Sequence, residues 1–133
     1  MVCIYCGGKT KVINSRSRQH GLLVWRRRAC QACKAVFTTE EGVSREQALM
    51  VKRVSRYEPF LRDKLLLSIY DSLKHRKTAI RDATALTDTV WQKLLPHFSD
   101  GAIVLSKIAE TTEQILKRFD ETAAVHYQAF HRS

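Results

Sequence analysis

The residues best equipped for chemistry are four cysteines in two pairs, Cys3-Ile-Tyr-Cys6 and Cys30-Gln-Ala-Cys33, with 23 residues between the pairs. Two Cys-x-x-Cys turns in one short segment are the pattern of a four-thiolate zinc ribbon. Each turn offers two thiolates on one side, and a d10 ion takes a tetrahedral sulfur set without geometric penalty. The gap is somewhat longer than the usual ~15–20 residues, which a longer hairpin between the knuckles absorbs. Two other readings of the pairs exist. A disulfide framework belongs to oxidising compartments, and the N-terminal run has no basic segment followed by an apolar one, so an intracellular protein is expected. A redox Cys-x-x-Cys occurs once, near a βαβ pattern, and needs no second pair. The expectation is one Zn2+ per chain on Cys3, Cys6, Cys30 and Cys33. A module of about 40 residues buries too little apolar surface to fold alone, so the metal supplies much of its folding energy.

The second chemical feature is charge. The 133 residues carry 23 Lys plus Arg against 13 Asp plus Glu, a formal +10. Residues 1–39 hold eight cations (Lys9, Lys11, Arg16, Arg18, Arg26, Arg27, Arg28, Lys34) and no acid, whereas residues 46–133 hold 14 cations and 11 acids. Such a segment is either a solvated basic surface or the footprint of a polyanion, and the lack of any counter-charge over 39 residues points to nucleic acid. Arg26, Arg27 and Arg28 run directly into the second knuckle, and guanidinium groups suit phosphates and guanine edges.

These residues need elements to hold them. Residues 11–15 and 22–26 read as short strands, with Gln19-His20-Gly21 as the turn and His20 as a turn residue, not a ligand. On a strand, Arg26 and Arg28 share one face and Arg27 takes the other. Residues 37–42 close the ribbon and 43–47 form a linker. Residues 48–54 read as a strand. Glu58-Pro59 then opens a helix with Phe60, Leu61, Leu65, Leu66, Ile69, Tyr70 and Leu73 on its apolar face. A second helix over 80–98 buries Ile80, Ala83, Thr87, Val90, Trp91, Leu94 and Leu95. A third is capped near Ser106 and carries Ile108, Ile115, Leu116 and Phe119. A fourth is capped by Asp120, with Ala123, Tyr127 and Phe130 inward. The aromatics Tyr70, Trp91, Phe119 and Tyr127 read as core. Hydrophobic residues make up 44% and Gly plus Pro only 7 of 133, which excludes wholesale disorder. No apolar run approaches the ~20 residues of a membrane helix. There is no GxxxxGK[ST] loop and no Ser/His/Asp or Cys/His set, so an enzyme is not expected.

Several stretches, taken together and in order, carry a family resemblance. They are Cys3-x-x-Cys6-Gly7, residues 12–16 (VINSR), Arg26 to Arg28 leading into Cys30-x-x-Cys33, residues 37–40 (FTTE) and Val51-Lys52-Arg53. Beyond these come Glu58-Pro59-Phe60, Asp63-Lys64-Leu65, Ile108, residues 116–120 (LKRFD) and Arg132. The chain resembles the NrdR family of bacterial transcriptional repressors of ribonucleotide reductase genes along nearly its whole length. The resemblance implies an α+β chain: a small N-terminal four-Cys zinc ribbon that binds DNA (1–42), a linker (43–47), and a mainly helical ATP-cone entered through a short strand or hairpin (48–133). It implies that Arg16, Arg26, Arg27 and Arg28 face double-stranded DNA at paired operator boxes. It implies that Val51, Lys52, Arg53 and Lys64 bind ATP and dATP, and that the nucleotide sets the state of a homo-oligomer. The implied site of action is the bacterial cytoplasm, on the nucleoid. The chain departs from the family pattern at Trp25, where a fourth arginine is usual. It departs again at Val54 and Ser55, where Asp-Gly is usual, and at Ala124, where a tyrosine is usual. A reading from another class is a constitutive zinc-ribbon module that binds nucleic acid, with the second part serving only assembly. A third is a regulatory piece of an enzyme, against which the lack of a spare cysteine argues.

Overall fold

The computed structural model describes residues 1–131, the side chains of Arg45 and Glu46 apart; Arg132, one of the positions carrying the resemblance, lies outside the described residues. The chain divides into two units, Met1–Ser44 and Arg45–Ser133. It is an α+β chain, a four-Cys ribbon followed by a mainly helical part.

In the first unit β1 (Thr10–Arg18), β2 (Leu23–Cys30) and β3 (Val36–Gly42) form an antiparallel sheet in the order β1-β2-β3. The strands run further than alternation alone predicts, because β2 pairs with β1 down to Cys30 and with β3 down to Ala29. The β1–β2 turn is Gln19-His20-Gly21, as expected, and all three residues take positive φ (50°, 55° and 90°). Such a turn is strained at Gln19 and His20 and relaxed only at Gly21. The buried apolar cluster of this unit is Cys3, Cys30 and Phe37 with Ala35 against them. Val12, Ile13, Leu22 and Val36 stay exposed.

The second unit places β4 (Met50–Lys52) at the centre of a small sheet, antiparallel to β5 (Tyr57–Pro59) and parallel to β6 (Ala102–Val104). The single-turn α1 (Arg45–Ala48) precedes it, and α2 (Arg62–Leu73), α3 (Ala79–Leu94), α4 (Leu105–Phe119) and α5 (Glu121–Phe130) complete the unit. The core joins Val51 and Ile103 of the sheet to Leu65, Ile69 and Leu73 of α2, Val90 and Leu94 of α3, Leu116 of α4 and Tyr127 of α5. Phe60, Trp91 and Phe98 pack ring to ring with centroids 5.2–6.0 Å apart. Thr87 and Thr112 are wholly buried, and each hydroxyl donates to the carbonyl one turn back at 2.7 Å, so neither is left unsatisfied.

Four expectations change. Glu58-Pro59 lies in β5, on the sheet edge, where proline's missing N–H is harmless; Phe60 N–H donates to Leu49 at 2.9 Å and prolongs the pairing, so α2 starts only at Arg62. In α3 the inward stripe begins at Ala79, leaving Ile80 exposed. Ser106 lies inside the first turn of α4, with Val104 at the cap. Phe119 and Phe130 are exposed, Phe119 carrying the Arg76 guanidinium 4.7 Å from its ring centre.

Asp120 caps α5 as expected, accepting from Ala123 N–H at 3.1 Å. Its other oxygen holds His75 Nε2 at 2.9 Å and Arg76 at 3.1 Å, so one carboxylate ties the loop after α2 to the α4–α5 corner. The His75 contact, with the Ala123 N–H and Arg76, holds the Asp120 carboxyl down at about 2. A carboxyl whose native value is depressed binds fewer protons folded than unfolded, so its contribution is complete above the unfolded value near ~4 and is lost as pH falls toward about 2. Urea midpoints measured from pH 5 to pH 2 should therefore fall less steeply for Asp120→Asn than for the wild type, with the variant less stable at neutral pH.

Candidate functional site

The two knuckles are built alike. Cys3 N–H donates to Gly8 C=O at 2.8 Å, and Cys30 N–H to Ala35 C=O at 2.9 Å, five residues on in each case. Gly7 (φ 71°) and Lys34 (φ 63°) take the left-handed position just after each pair. Gly8 is tightly enclosed: a Cβ there would stand 3.2 Å from Cys6 Sγ and from Ala32 Cβ, so the thiolate site would have to give by a few tenths of an ångström. The four sulfurs lie within 4.8 Å of one another, with Cys3–Cys33 at 3.7 Å and Cys6–Cys30 at 3.5 Å. Zinc–sulfur bonds of ~2.3 Å in a tetrahedron space the sulfurs by about 3.8 Å, and a disulfide needs ~2.0 Å. The thiols are unpaired, and the set fits one zinc ion.

The electrostatics ask for a cation. The Cys33 N–H, directed at Cys30 Sγ from 3.4 Å, draws the Cys30 thiol down to about 6. Cys33 moves the other way, to about 12: the Ala35 N–H lowers it, but the adjacent Cys6 sulfur, burial and Cys30 outweigh that effect. Four crowded thiols do not ionise together unless a metal takes up the charge.

The cations of the ribbon are sorted by its register. Arg28 opposes Val12, but Arg27 opposes Asn14, so Ile13 is the extra residue of a β-bulge. Without the bulge Arg16 would oppose Val24 and share the face of Arg26 and Arg28. The one-residue shift places Arg16 opposite Trp25 and Arg18 opposite Leu23, on the face of Arg27. Lys11, opposite Ala29, is on that face too. Arg26 and Arg28 lie on the other, half-buried, where Arg26 pairs with Glu41 and Arg28 Nε donates to Thr39 Oγ1 at 3.2 Å. Among the described residues, Lys11, Arg16 and Arg27 have no acidic partner, and Arg18 lies over the Trp25 ring at 5.6 Å. The structure thus brings Arg16 and Arg27 together and sets Arg26 and Arg28 apart from them. Lys11 and Arg18 join the first pair; the face of Arg18, like that of Arg16, depends on the bulge, which nothing in the order of residues marks.

In the second unit Val51 lies on the central strand β4 and is buried in the core. Arg53 Nε stands 2.8 Å from Glu58 Oε1, Lys64 Nζ 3.3 Å from the same oxygen, and Arg56 3.8 Å from Oε2. Arg53, with Lys64, lowers the Glu58 carboxyl's pKa. Three cations share one carboxylate, which leaves a surplus of positive charge. The Arg53 Nε is itself buried against Glu58. This cluster fits a polyphosphate. Lys52 is not part of it: it pairs with Tyr57 and Val104 on the opposite sheet face, at the rim of a hollow of about 380 Å³ with His97, Ser99 and Asp100. Glu58 has no role assigned from the sequence; its signal is an acid two residues from Arg56 and six from Lys64. Ala124 is buried on α5 beside a smaller hollow edged by Glu113, Lys117 and Gln128.

Comparison with known proteins agrees with this anatomy. A family model described as "Transcriptional repressor NrdR-like, N-terminal domain" matches residues 1–41. The chain is 32% identical over 133 residues to the "Transcriptional repressor NrdR" of Caldicellulosiruptor saccharolyticus, covering 99% of this chain and 86% of that protein. It is 33% identical over 132 residues to that of Symbiobacterium thermophilum, covering 99% and 87%. It is 36% identical over 135 residues to that of a Chelativorans species, covering 100% and 86%. These relatives are named as regulators, not enzymes, and no described helix is long and apolar enough to cross a membrane. On the thiolate cluster, the matched ribbon and similarity along its whole length, the chain belongs to the NrdR family of transcriptional repressors.

Proposed function

We propose that this chain is a repressor of ribonucleotide reductase genes whose grip on DNA is set by ATP and dATP. In this reading Cys3, Cys6, Cys30 and Cys33 hold one zinc, which fixes the ribbon. The ribbon binds duplex DNA at paired boxes, with Arg16 and Arg27 foremost and Arg26 and Arg28 secondary. Residues 48–133 bind the nucleotide through Arg53 and Lys64 beside Glu58, with Val51 on the adjoining strand and Lys52 on the other sheet face, and assemble the chain into a homo-oligomer. The protein acts in the cytoplasm, on the nucleoid.

The observation that carries the nucleotide part is the cluster of Arg53, Arg56 and Lys64 about Glu58, three cations on one carboxylate. A triphosphate brings about four negative charges, and charge-assisted hydrogen bonds of this kind contribute roughly 1.5–3 kcal/mol each. Calorimetric titration should therefore show ATP and dATP binding to the wild type, and a loss of at least about tenfold for both Arg53→Ala and Lys64→Ala. Failure of the wild type to take up either nucleotide at millimolar concentration would sink this part. The position of Lys52, away from the cluster, favours the second reading, a constitutive zinc-ribbon module whose second unit serves assembly alone; absent nucleotide binding would select it.

A further inference from the structure

We infer that Trp25 reads a thymine methyl group in the DNA major groove, held for that task by Arg18; the inference rests on the DNA-binding reading above. The face bearing Trp25 carries the cations Lys11, Arg16, Arg18 and Arg27, with Leu23 and Ala29 further along β2, Val36 opposite Ala29, and the acid Glu40 opposite Trp25 on β3. Arg16 lies directly opposite it on β1, Arg27 is two residues along β2, and Asn14 lies opposite Arg27. The Arg18 guanidinium sits 5.6 Å from the centre of the indole ring, and the ring is half-buried. An indole placed amid cations that meet phosphates makes no phosphate contact of comparable strength itself. It has one N–H donor, no acceptor, and a large apolar surface. A β-ribbon fits the major groove, and the apolar mark on a base edge there is the C5-methyl of thymine. The cation over the ring restricts its rotamers, which lowers the ordering cost on binding.

The test uses the full-length zinc-loaded protein and the tightest duplex selected from a randomised library. Each thymine of that duplex is replaced singly by uracil, which removes only the methyl. The wild type should lose about fourfold in affinity at one or more positions, the loss expected for one buried methyl. Trp25→Ala should bind more weakly and be indifferent to the same replacements, and Trp25→Phe should keep part of the sensitivity. Zinc content is measured for each variant, and Trp25→Phe carries the test if Trp25→Ala loses its metal. Fluorescence gives a second readout. The other tryptophan, Trp91, is buried in the second unit, so in a Trp91→Phe background emission reports Trp25 and should change on adding the duplex. The inference is overturned if no uracil replacement weakens the wild type, or if the loss is the same in wild type and variants. If the library yields no bound duplex at all, the DNA-binding reading itself fails and takes this one with it.

Discussion

Stripping zinc with a strong chelator should unfold Met1–Ser44 and leave α2–α5 folded. The ribbon has little else to hold it. Its buried apolar cluster is two metal-site cysteines and Phe37, while Val12, Ile13, Leu22 and Val36 face solvent. A unit of this size is near or below the limit at which burial alone balances chain entropy. Structural zinc binds zinc-finger peptides with an apparent ~10–16 kcal/mol at neutral pH, and that free energy is folding free energy. The second unit has its own core of wholly buried Ile69, Leu73, Val90, Leu94 and Leu116 and draws nothing from the metal. Hydrogen exchange read by mass spectrometry should show the amides of β1–β3 lose protection on chelation while those of α2–α5 keep it. Cys30→Ser should do the same without chelator, because Cys30 is the buried sulfur at the end of β2. Persistent protection in the zinc-free ribbon would mean that the metal does not hold the fold.

The second large effect is on DNA. Arg16→Ala combined with Arg27→Ala should reduce the slope of log K against log salt by about 1.8, since each phosphate that a side chain neutralises contributes ~0.9 to it. Arg26→Ala should reduce it by distinctly less. Its charge is already offset by Glu41, and its removal frees that carboxylate beside the DNA at the same time that it deletes a cation. Arg28→Ala should also act mainly through the sheet, through its bond to Thr39. Fluorescence anisotropy with one duplex over a salt series measures the double variant and the two single ones. The reverse order, with Arg26 and Arg28 dominant, would place the DNA on the other face of the ribbon.

These two expectations differ in how far they can be read from the sequence. The zinc ligands are legible because each pair is local: two residues of spacing fix both sulfurs on one turn, whatever the rest of the chain does. The separation of Arg27 from Arg26 and Arg28 is legible from strand alternation. Which face Arg16 joins is not. It depends on the bulge at Ile13, which only the pairing of β1 with β2 reveals. The pairing of Arg26 with Glu41 depends on β3 in the same way. In the second unit the core residues of α2, α3 and α4 largely follow helical periodicity. Glu58-Pro59 reads as a helix start because proline suits that position as well as a sheet edge, and only the partner strand decides. β6 has three residues, too few for alternation to show. Arg53 and Lys64 both pair with Glu58, an acid that comes to light only when β5 is folded against β4.

The central claim is that a nucleotide held in the second unit governs what the ribbon does. A single ribbon touches few phosphates and bases, so useful specificity needs two ribbons held at fixed spacing. A ligand controls that spacing only if it binds one assembly better than another, and a shift from 1:99 to 99:1 requires a difference of ~10⁴-fold. ATP and dATP differ by one 2′-hydroxyl, and a site that hydrogen-bonds such a group discriminates strongly. The direct measurement is molar mass by light scattering together with operator affinity, for the protein free of nucleotide, with ATP and with dATP. Different masses and different operator affinities are expected for the ATP- and dATP-loaded forms, and Lys64→Ala should erase the difference. The same mass and the same affinity in all three states of the wild type would contradict the claim.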